Sequence, residues 1–215
     1  MDGNRRWAKA HLLPTFEGHR HGYQTMKSLV EWAKDAGVST VIVFAFSEEN
    51  WKRAEEEVAF MMTLIREILV NQLKEAMEKN IRLKFIGNIS KFPEDIAGGM
   101  RDAEKKTEGN TAMTLGIAVS YGGRQEITYA VNELIKAGKT EVTVEDVSDH
   151  LYTSGLPDPD IIIRTSGEMR VSGFLPWQSV YSELFFTKTL WPDFSQEEFL
   201  SIINEYANRE RRMGK

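Results

Sequence analysis

The sequence predicts an α/β fold in which a mostly parallel central sheet is flanked by helices. Apolar, β-branched segments alternate along the chain with segments whose apolar residues recur at helical spacing, a pattern typical of βαβ units. Segments 38–46 and 113–121 are almost wholly apolar, as expected for parallel strands buried on both faces. No internal repeat or low-complexity linker interrupts the 215 residues, so we expect a single domain, 1–215.

Local signals place the elements in chain order. Residues 11–21 are expected to form a loop or short turn, because Pro14, Gly18 and Gly22 lie in or beside them. Five strands are visible, at 38–46, 81–87, 113–121, 160–164 and 183–187. Helices are predicted at 23–36, 54–79, 93–106 and from 123 to about 137, with a short helix after a capping box at Thr143 and a last helix after Ser195.

The helix at 54–79 carries a broad apolar face. Core packing is the favoured explanation of such a face, and the alternative is one wall of a tunnel for a long hydrocarbon. Methionine fits either reading, because it fills irregular apolar gaps. The face is formed by Val58, Met61, Met62, Leu64, Ile65, Ile68, Leu69 and Leu73.

Composition excludes several classes of protein. The net charge of −5 argues against a general nucleic-acid binder, which needs a basic face. The chain has no cysteine, which excludes disulfides, a thiolate nucleophile and cysteine-based metal sites. We expect a cytoplasmic protein, because no signal peptide is visible and no apolar run approaches the roughly 18 residues of a membrane span.

The first seven residues combine an acid, a glycine, an amide and two arginines. Guanidinium groups suit phosphate oxygens, and a glycine lets backbone N–H groups approach an anion. A carboxylate beside a phosphate needs a cation between them, and Mg²⁺ is the usual one. The segment therefore indicates either a Mg²⁺–diphosphate site or a charged, frayed terminus; its members are Asp2, Gly3, Asn4, Arg5, Arg6 and Trp7. A second anion contact at His19 is possible, and a polar loop is the other reading.

Two strand ends concentrate further polar residues. Open α/β sheets bind ligands at the carboxyl ends of their strands. The first predicted strand runs into Ser47, Asn50, Trp51 and Arg53. The strand at 160–164 runs into Arg164, Gly167, Arg170 and Ser172, which could clamp a second diphosphate; the alternative is that these arginines pair with Asp158, Asp160 or Glu168.

Two groups near the end of the chain complete this set. Glu183 opens the last strand in an apolar setting, where a lone acid is costly unless it is paired or bound to a metal. Arg211 and Arg212, taken alone, are best explained as solvated charge.

The motifs together resemble the cis-prenyltransferases, the undecaprenyl diphosphate synthase family. They are MDGNRRWAK, EGHRHG, AFSEENWKR, SYGGR, LPDPDIIIRTSGEMR and LWPDF, and they run in order from Asp2 to Gly214. The absence of a DDxxD motif separates the chain from the trans-type prenyl synthases. The resemblance implies a Mg²⁺-dependent transferase that condenses isopentenyl diphosphate repeatedly onto an allylic diphosphate, such as farnesyl or geranyl diphosphate, with cis double bonds. It implies a polyprenyl product such as undecaprenyl diphosphate, used as a lipid carrier in cell-wall biogenesis.

The resemblance also implies roles for single residues. Asp2 matches the Mg²⁺-binding acid, and Glu183 matches an acid, also predicted as a metal ligand, that reaches across a dimer interface. Asn50 matches the candidate for helping proton removal, with Ser47 and Trp51 in the same mobile segment over the reacting carbons. The allylic diphosphate is implied to lie on Gly3, Asn4, Arg5, Arg6, Trp7, His19 and Arg53. The isopentenyl diphosphate is implied to lie on Arg164, Arg170 and Ser172, and the family's C-terminal Arg-x-Gly, here Arg212 to Gly214, completes the partner's site.

Partners and departures follow from the same comparison. A homodimer is implied, with peripheral contact to a membrane for product release. Arg5 stands where many members have glycine, and Thr15 where many have arginine, so we hypothesise that Arg5 supplies the missing guanidinium. The family pattern places a short apolar strand before the acid, where this chain has Met1, so a sixth, N-terminal strand is expected to be missing.

Two other functions remain as alternatives. A non-catalytic partner subunit of the same fold would lose the metal acid and the Ser-x-x-Asn-Trp segment, both of which this chain keeps. An unrelated phosphate-binding α/β protein has no Walker loop or GxGxxG motif here to support it.

Overall fold

The computed structural model describes residues 1–209, and this part of the chain divides into two compact units. The first unit comprises 1–38, 158–172 and the described part of 178–215; the second comprises 39–157 and 173–177. Unit 1 contains helices α1 (Asn4–Ala10), α2 (Thr15–Asp35) and α7 (Gln196–Asn208) and strands β4 (Ile161–Arg164) and β5 (Glu183–Phe186). Unit 2 contains strands β1 (Thr40–Ser47), β2 (Ile81–Ile86) and β3 (Met113–Tyr121) and helices α3 (Glu55–Glu78), α4 (Glu94–Thr107), α5 (Gly123–Lys136) and α6 (Val144–His150).

The sheet of unit 2 has the order β1-β3-β2, and all its strands are parallel. β3 lies in the centre and is buried along almost its whole length, which explains its continuous apolar sequence. Because the strands are parallel, β1 and β3 end at the same edge, with Ser47 opposite Tyr121. The segments that follow these strands are therefore brought together.

Unit 1 is built on β4 and β5, which are also parallel, with Ile161 opposite Glu183. α1 packs on α2 at very short distance. A Cβ at Gly18 would lie 2.0 Å from the backbone oxygen of Asn4, and a Cβ at Gly22 would lie 2.2 Å from the Asn4 Oδ1. At Gly18 the obstacle is backbone, so only glycine fits there, whereas at Gly22 a Cβ would require the side chains of Asn4 and Trp191 to shift.

The α/β class with parallel strands flanked by helices is confirmed. All five predicted strands are found; they form one sheet of three strands and one of two. The capping box at Thr143 is present, with Thr143 and Asp146 each accepting the other's backbone N–H at 3.1 Å. That the chain is one domain, 1–215, stays a prediction.

The expected loop at 11–21 is wrong for most of its length, because α2 begins at Thr15. Pro14 does not break this helix: it lies just before the first turn, where a missing N–H costs nothing. Gly18 and Gly22 are four residues apart on one face of the helix, the face that meets α1. They are packing glycines of a helix, and not the ends of a polar loop.

Among the described residues no helix combines the length and the apolar character needed to cross a membrane.

Candidate active site

The carboxylate of Asp2 lies among guanidinium groups in unit 1. Its Oδ2 accepts a hydrogen bond from Arg164 Nη2 at 3.1 Å, and its Oδ1 lies 3.6 Å from Arg6 Nη2. Burial raises the pKa of Asp2, but the hydrogen bond and charge of Arg164, together with the charge of Arg6, outweigh burial and lower that pKa below its usual value. The side chain is 41% exposed, so an ionised carboxylate remains open to a ligand.

The backbone of Asp2 is held on both sides. The hydroxyl of Thr165, which is 3% exposed, donates to the Asp2 carbonyl oxygen at 2.8 Å and accepts from the Asp2 N–H at 3.3 Å. The backbone N–H of Trp191 donates to the same carbonyl oxygen at 3.1 Å. The segments that follow β4 and β5 thus anchor the backbone of Asp2 and fix the position from which its carboxylate extends.

Arg164 joins the two motifs that the sequence places at opposite ends of the chain. Its side chain is only 17% exposed. Nη2 donates to Asp2, while Nη1 donates to Ser172 Oγ at 2.8 Å and to the backbone oxygen of Arg170. The predicted acid of one motif and the predicted clamp of the other therefore form one cluster.

Arg6 extends this cluster onto the turn after β4. Its guanidinium donates to the backbone oxygen of Ser166 at 3.0 Å and to the Ser166 hydroxyl. It also lies 3.8 Å from Glu168, which accepts from Arg170 at 2.5 Å. Three guanidinium groups thus face two carboxylates, for a local charge of 3 − 2 = +1 that suits an anionic ligand.

The turn after β4 has an unusual backbone. Ser166 and Gly167 have φ angles of 73° and 80°, in the left-handed region. Their N–H groups donate to the carbonyl oxygens of Thr189 and Thr187 at 2.8 and 2.7 Å. A non-glycine residue held in this region costs free energy, and such residues cluster at functional sites.

The other predicted residues of unit 1 lie at the start of α1 or on α1 and α2. Gly3, with φ 112°, starts α1 against Leu190 and Trp191, which a Cβ at Gly3 would approach to 3.1 Å. Trp7 is buried, and its Nε1 donates to Asp193 at 2.6 Å. His19 is half-buried on α2, beside the close contact of Gly18 with α1, and Arg5 is exposed on α1.

Unit 2 holds the second predicted group, in a short 3₁₀ helix (Glu48–Lys52) that follows β1. Asn50 Oδ1 accepts the N–H of Ser47 at 3.0 Å and so caps this helix. Trp51 Nε1 donates to Ser120 Oγ at 2.9 Å, and Arg53 pairs with Glu57 at 2.8 Å. Of these contacts only the one between Ser47 and Asn50 is internal to the segment, while Trp51 and Arg53 tie it to β3 and α3.

Glu183 is paired within its own chain. Its carboxylate accepts from the guanidinium of Arg209, which also bonds Glu205 and lies 4.3 Å above the ring of Phe185. The acid in an apolar setting is therefore paired, one of the two outcomes expected for it, and its role as a metal ligand stays a prediction. Arg211, Arg212 and Gly214 lie outside the described residues.

A divalent cation fits this donor set only with help from a ligand. Within 1–209 no three His, Cys, Asp or Glu side chains come together as a metal site. Asp2 supplies one ionised, accessible carboxylate, and Mg²⁺ is commonly bound by one or two carboxylates together with substrate phosphates and waters. The residues therefore fit Mg²⁺ that is shared with a bound phosphate group.

The lowered pKa of Asp2 makes a prediction for acid solution. The ion pair with Arg164 contributes stability above the unfolded pKa of about 3.9, and this contribution is lost as pH falls through the lower folded pKa. The melting temperature of the wild type minus that of Asp2→Asn is therefore expected to decrease between pH 6 and pH 3. A difference that stays constant over this range would show that the pair does not stabilise the folded state.

Sequence reasoning missed several residues of the two clusters. Thr165 and Ser166 were visible only as hydroxyls near Arg164, and nothing local indicates that they bind Asp2 and Arg6. In unit 2, Ser120 accepts a hydrogen bond from Trp51 and donates one to Glu48. The sequence offers two signals for Ser120: it is a polar residue at the end of the apolar strand β3, and it opens the motif SYGGR.

Comparison with known proteins gives a consistent result. Residues 1–214 match the family model described as undecaprenyl diphosphate synthase. An isoprenyl transferase from Chromobacterium violaceum is 45% identical over all of this chain and 86% of its own length. An isoprenyl transferase from Thermotoga maritima is 44% identical, again over all of this chain and 94% of its own length.

Two solved structures share the fold. A probable undecaprenyl diphosphate synthase from Campylobacter jejuni has a TM-score of 0.83 and 35% identity, covering 91% of this chain and 93% of its own. Lavandulyl diphosphate synthase from Lavandula x intermedia, solved with dimethylallyl diphosphate, has a TM-score of 0.94 and 31% identity, covering 100% of this chain and 95% of its own.

Proposed function

Since this chain belongs to the undecaprenyl diphosphate synthase family of isoprenyl transferases, we propose that it condenses isopentenyl diphosphate repeatedly onto an allylic diphosphate. In each step the bond between the allylic carbon and its diphosphate breaks. A carbon–carbon bond forms to the isopentenyl double bond, a proton is lost, and a cis double bond remains. The observation that supports this best is the joining of Asp2, Arg6, Arg164 and Ser172 in one cluster.

The arginines of this cluster suit the charge that develops in the reaction. A departing diphosphate gains negative charge, and fixed guanidinium groups stabilise such charge more strongly in the transition state than in the ground state. Arg6 and Arg164 are held in place by Ser166 and Ser172, so little reorganisation is needed. Arg170, exposed and paired with Glu168, is free to exchange that carboxylate for a phosphate.

Asp2 is the residue that would hold Mg²⁺. When bound, the ion would neutralise diphosphate oxygens and so make the diphosphate a better leaving group. The chain's own contribution is the ionised, anchored carboxylate of Asp2. Arg164 donates to that carboxylate, and a diphosphate would compete with Asp2 for the same guanidinium.

The segment Ser47–Arg53 is proposed to cover the reacting carbons. Its aromatic member, Trp51, offers an apolar surface to a hydrocarbon, and Asn50 is the proposed aid to proton removal. In the described structure the Asn50 carbonyl oxygen caps the 3₁₀ helix. Because the Asn50 NH2 group can only donate hydrogen bonds, it would aid proton removal by orienting a proton acceptor, such as a diphosphate oxygen, while the carbonyl oxygen keeps that position.

The growing chain is proposed to lie along α3. Five aliphatic side chains of its predicted apolar face remain only partly buried: Val58, Ile65, Ile68, Leu69 and Leu73. Each added unit buries about five carbons, which at ~0.8 kcal/mol per CH₂ strengthens binding by up to about 4 kcal/mol. Long products would therefore leave slowly, and peripheral contact with a membrane from a cytoplasmic location would help their release.

A homodimer is part of the proposal, with Glu183 and the Arg212–Gly214 segment serving the partner's site. Farnesyl or geranyl diphosphate is the proposed primer, and a polyprenyl diphosphate such as undecaprenyl diphosphate, a lipid carrier for cell-wall biogenesis, is the proposed product.

The direct test is chain elongation. The protein is incubated with labelled isopentenyl diphosphate, farnesyl diphosphate and Mg²⁺, and the extracted lipid is sized. We expect label in polyprenyl products that require both substrates and Mg²⁺. If the protein elongates none of the allylic substrates tried, it is the non-catalytic subunit and the proposal fails.

Thr165→Val provides a prediction about how Asp2 is held. Valine keeps the shape of threonine but loses the hydroxyl that bonds both backbone groups of Asp2. We expect activity to fall by about tenfold, with a higher Mg²⁺ concentration needed for half-maximal rate. Thr165→Ser should recover most of the activity.

A matched control comes from unit 2. Thr107 is also buried, and its hydroxyl accepts the N–H of Leu83 at 3.0 Å. Thr107→Val should lower the melting temperature without changing the Mg²⁺ dependence. An unchanged Mg²⁺ dependence in Thr165→Val would mean that Thr165 does not position Asp2.

A further inference from the structure

A chain of hydrogen bonds links Trp51 to a partly buried acid in unit 2. The indole Nε1–H of Trp51 donates to Ser120 Oγ at 2.9 Å, and Ser120 Oγ donates to Glu48 Oε1 at 2.6 Å. The other oxygen of Glu48 accepts from Lys91. The side chain of Glu48 is 11% exposed, so this relay is largely shielded from water.

The chemistry of the groups fixes the direction of the relay. The indole N–H can only donate, so Ser120 must present a lone pair to it. The serine has a single proton, which must therefore point elsewhere, and the Glu48 carboxylate is placed to accept it. Without that acceptor the hydroxyl could rotate its proton toward the indole, and two donors would face each other.

The backbone at Ser120 is adapted to this contact. Ser120 is 1% exposed and has φ 45°, a left-handed conformation at the end of a buried strand. The β1–β3 pairing passes from Phe46↔Val119 to Ser47↔Tyr121, so Ser120 is left out of the ladder. The left-handed backbone costs free energy and adds nothing to the strand pairing. This indicates that the Ser120 side chain has a role outside the sheet.

Aromatic rings hold the remainder of the indole. Phe46 meets the Trp51 ring edge-on at 4.9 Å, and Phe92 lies at 5.1 Å with a tilt of 58°. Phe46 itself is almost fully buried. The two rings limit tilting of the indole. The hydrogen bond to Ser120 fixes how the indole is rotated in its own plane.

We propose that Ser120 and Glu48 are positioning residues for prenyl transfer, which fix the orientation of Trp51 over the reacting carbons. Lys91 acts behind them by keeping the Glu48 carboxylate paired. The inference rests on the proposed function, because Trp51 is taken to shape the pocket for the allylic substrate. Ser120 and Glu48 act through the indole and need not touch the substrate.

Ser120→Gly tests the role of the hydroxyl apart from stability. Glycine removes the hydroxyl but relieves the left-handed strain, so the melting temperature should be unchanged or higher. We expect kcat/KM for the allylic diphosphate to fall by about tenfold, while KM for isopentenyl diphosphate changes by less than about twofold. Ser120→Ala should lose the same activity without the gain in stability. Wild-type activity in Ser120→Gly would overturn the proposal.

A double-mutant cycle shows whether Ser120 acts through Trp51. Phenylalanine at 51 has no N–H, so in a Trp51→Phe background Ser120→Gly should cost less than about twofold more. If the two losses instead multiply, Ser120 acts by another route and the proposal is wrong. If the wild type itself does not elongate the allylic diphosphate with isopentenyl diphosphate, the proposed function fails as well. If the wild type is active but the losses of the two single variants multiply in the double variant, only this inference is overturned.

Glu48→Ala completes the test. It should reproduce the kcat/KM loss of Ser120→Gly in the Trp51 protein and have little effect in the Trp51→Phe protein. The control is Glu94→Ala, which removes a carboxylate that pairs with Arg101 on the surface of α4. That variant should keep wild-type kinetics. A Glu48→Ala protein with wild-type kcat/KM would remove Glu48 from the proposal and contradict it.

Discussion

Arg164→Gln is expected to lower kcat/KM for prenyl transfer by about three orders of magnitude. Arg164 binds Asp2, Ser172 and the Arg170 backbone together. Its loss removes a charge-assisted contact to diphosphate and leaves Asp2 without its main partner. Removing one fixed donor to a developing anion costs about 10²–10³ in rate, and the loss of the contact that orients Asp2 adds to this. Steady-state kinetics with each diphosphate varied in turn would measure the loss.

Two further variants sharpen this expectation. Arg164→Lys keeps the charge but cannot make both sets of contacts, so it should recover little activity. Arg101→Gln removes a guanidinium that pairs with Glu94 on the surface of unit 2, and it should behave as the wild type. If Arg164→Gln kept more than about one tenth of the activity, the arginine would have only the structural role of pairing with acids.

Asp2→Ala is expected to have an effect of similar size by a different route. The variant keeps all three guanidinium groups but loses the carboxylate that would hold Mg²⁺. Activity at saturating substrate should fall by about a thousandfold, and the remaining rate should depend much less on Mg²⁺ concentration. Rates measured over a Mg²⁺ titration would show both changes.

The outcome separates the two roles that the structure allows for Asp2. If it serves only to pair with Arg164, Asp2→Asn should behave nearly as the wild type, since asparagine can still accept a hydrogen bond. If it holds the metal, Asp2→Asn should be almost as poor as Asp2→Ala. Near-normal activity and Mg²⁺ dependence in both variants would contradict the metal site.

The parallel strands were predictable because burial acts on sequence directly. β3 can avoid polar residues along its length only if both faces are covered, and its apolar sequence reports that requirement. The sequence also places two arginines, several hydroxyls and a glycine at the end of β4; Arg170 pairs there with Glu168, as the alternative expected, and the role of the group as a diphosphate clamp stays a prediction. What the structure adds there is the contact between Arg164 and Asp2, 162 positions apart.

The start of α2 could not be read from local signals. Pro14, Gly18 and Gly22 disfavour a helix when only neighbours in sequence are considered. The two glycines serve the packing of α1 on this helix, since a Cβ at Gly18 would meet the backbone of Asn4 and one at Gly22 would meet its side chain. Tertiary packing therefore outweighed helix propensity.

The partners of the site residues also could not be predicted, because their contacts depend on the fold and not on neighbours in sequence. Thr165 supports Asp2 and Ser120 supports Trp51, but each contact joins segments that are distant in sequence. A hydroxyl beside an arginine or at a strand end has many ordinary roles, and only the fold selects one. The left-handed backbone of Ser120 and Ser166 is likewise invisible in sequence, because serine does not require it.

The most direct test of the cluster built on Asp2, Arg6 and Arg164 is a calorimetric titration. Isopentenyl diphosphate is titrated without an allylic substrate, so no turnover occurs, into the wild type, Arg164→Gln and Arg101→Gln, each with and without Mg²⁺. We predict that Kd rises at least about tenfold in Arg164→Gln and stays at the wild-type value in Arg101→Gln. Equal affinities in all three proteins would show that the diphosphate binds elsewhere.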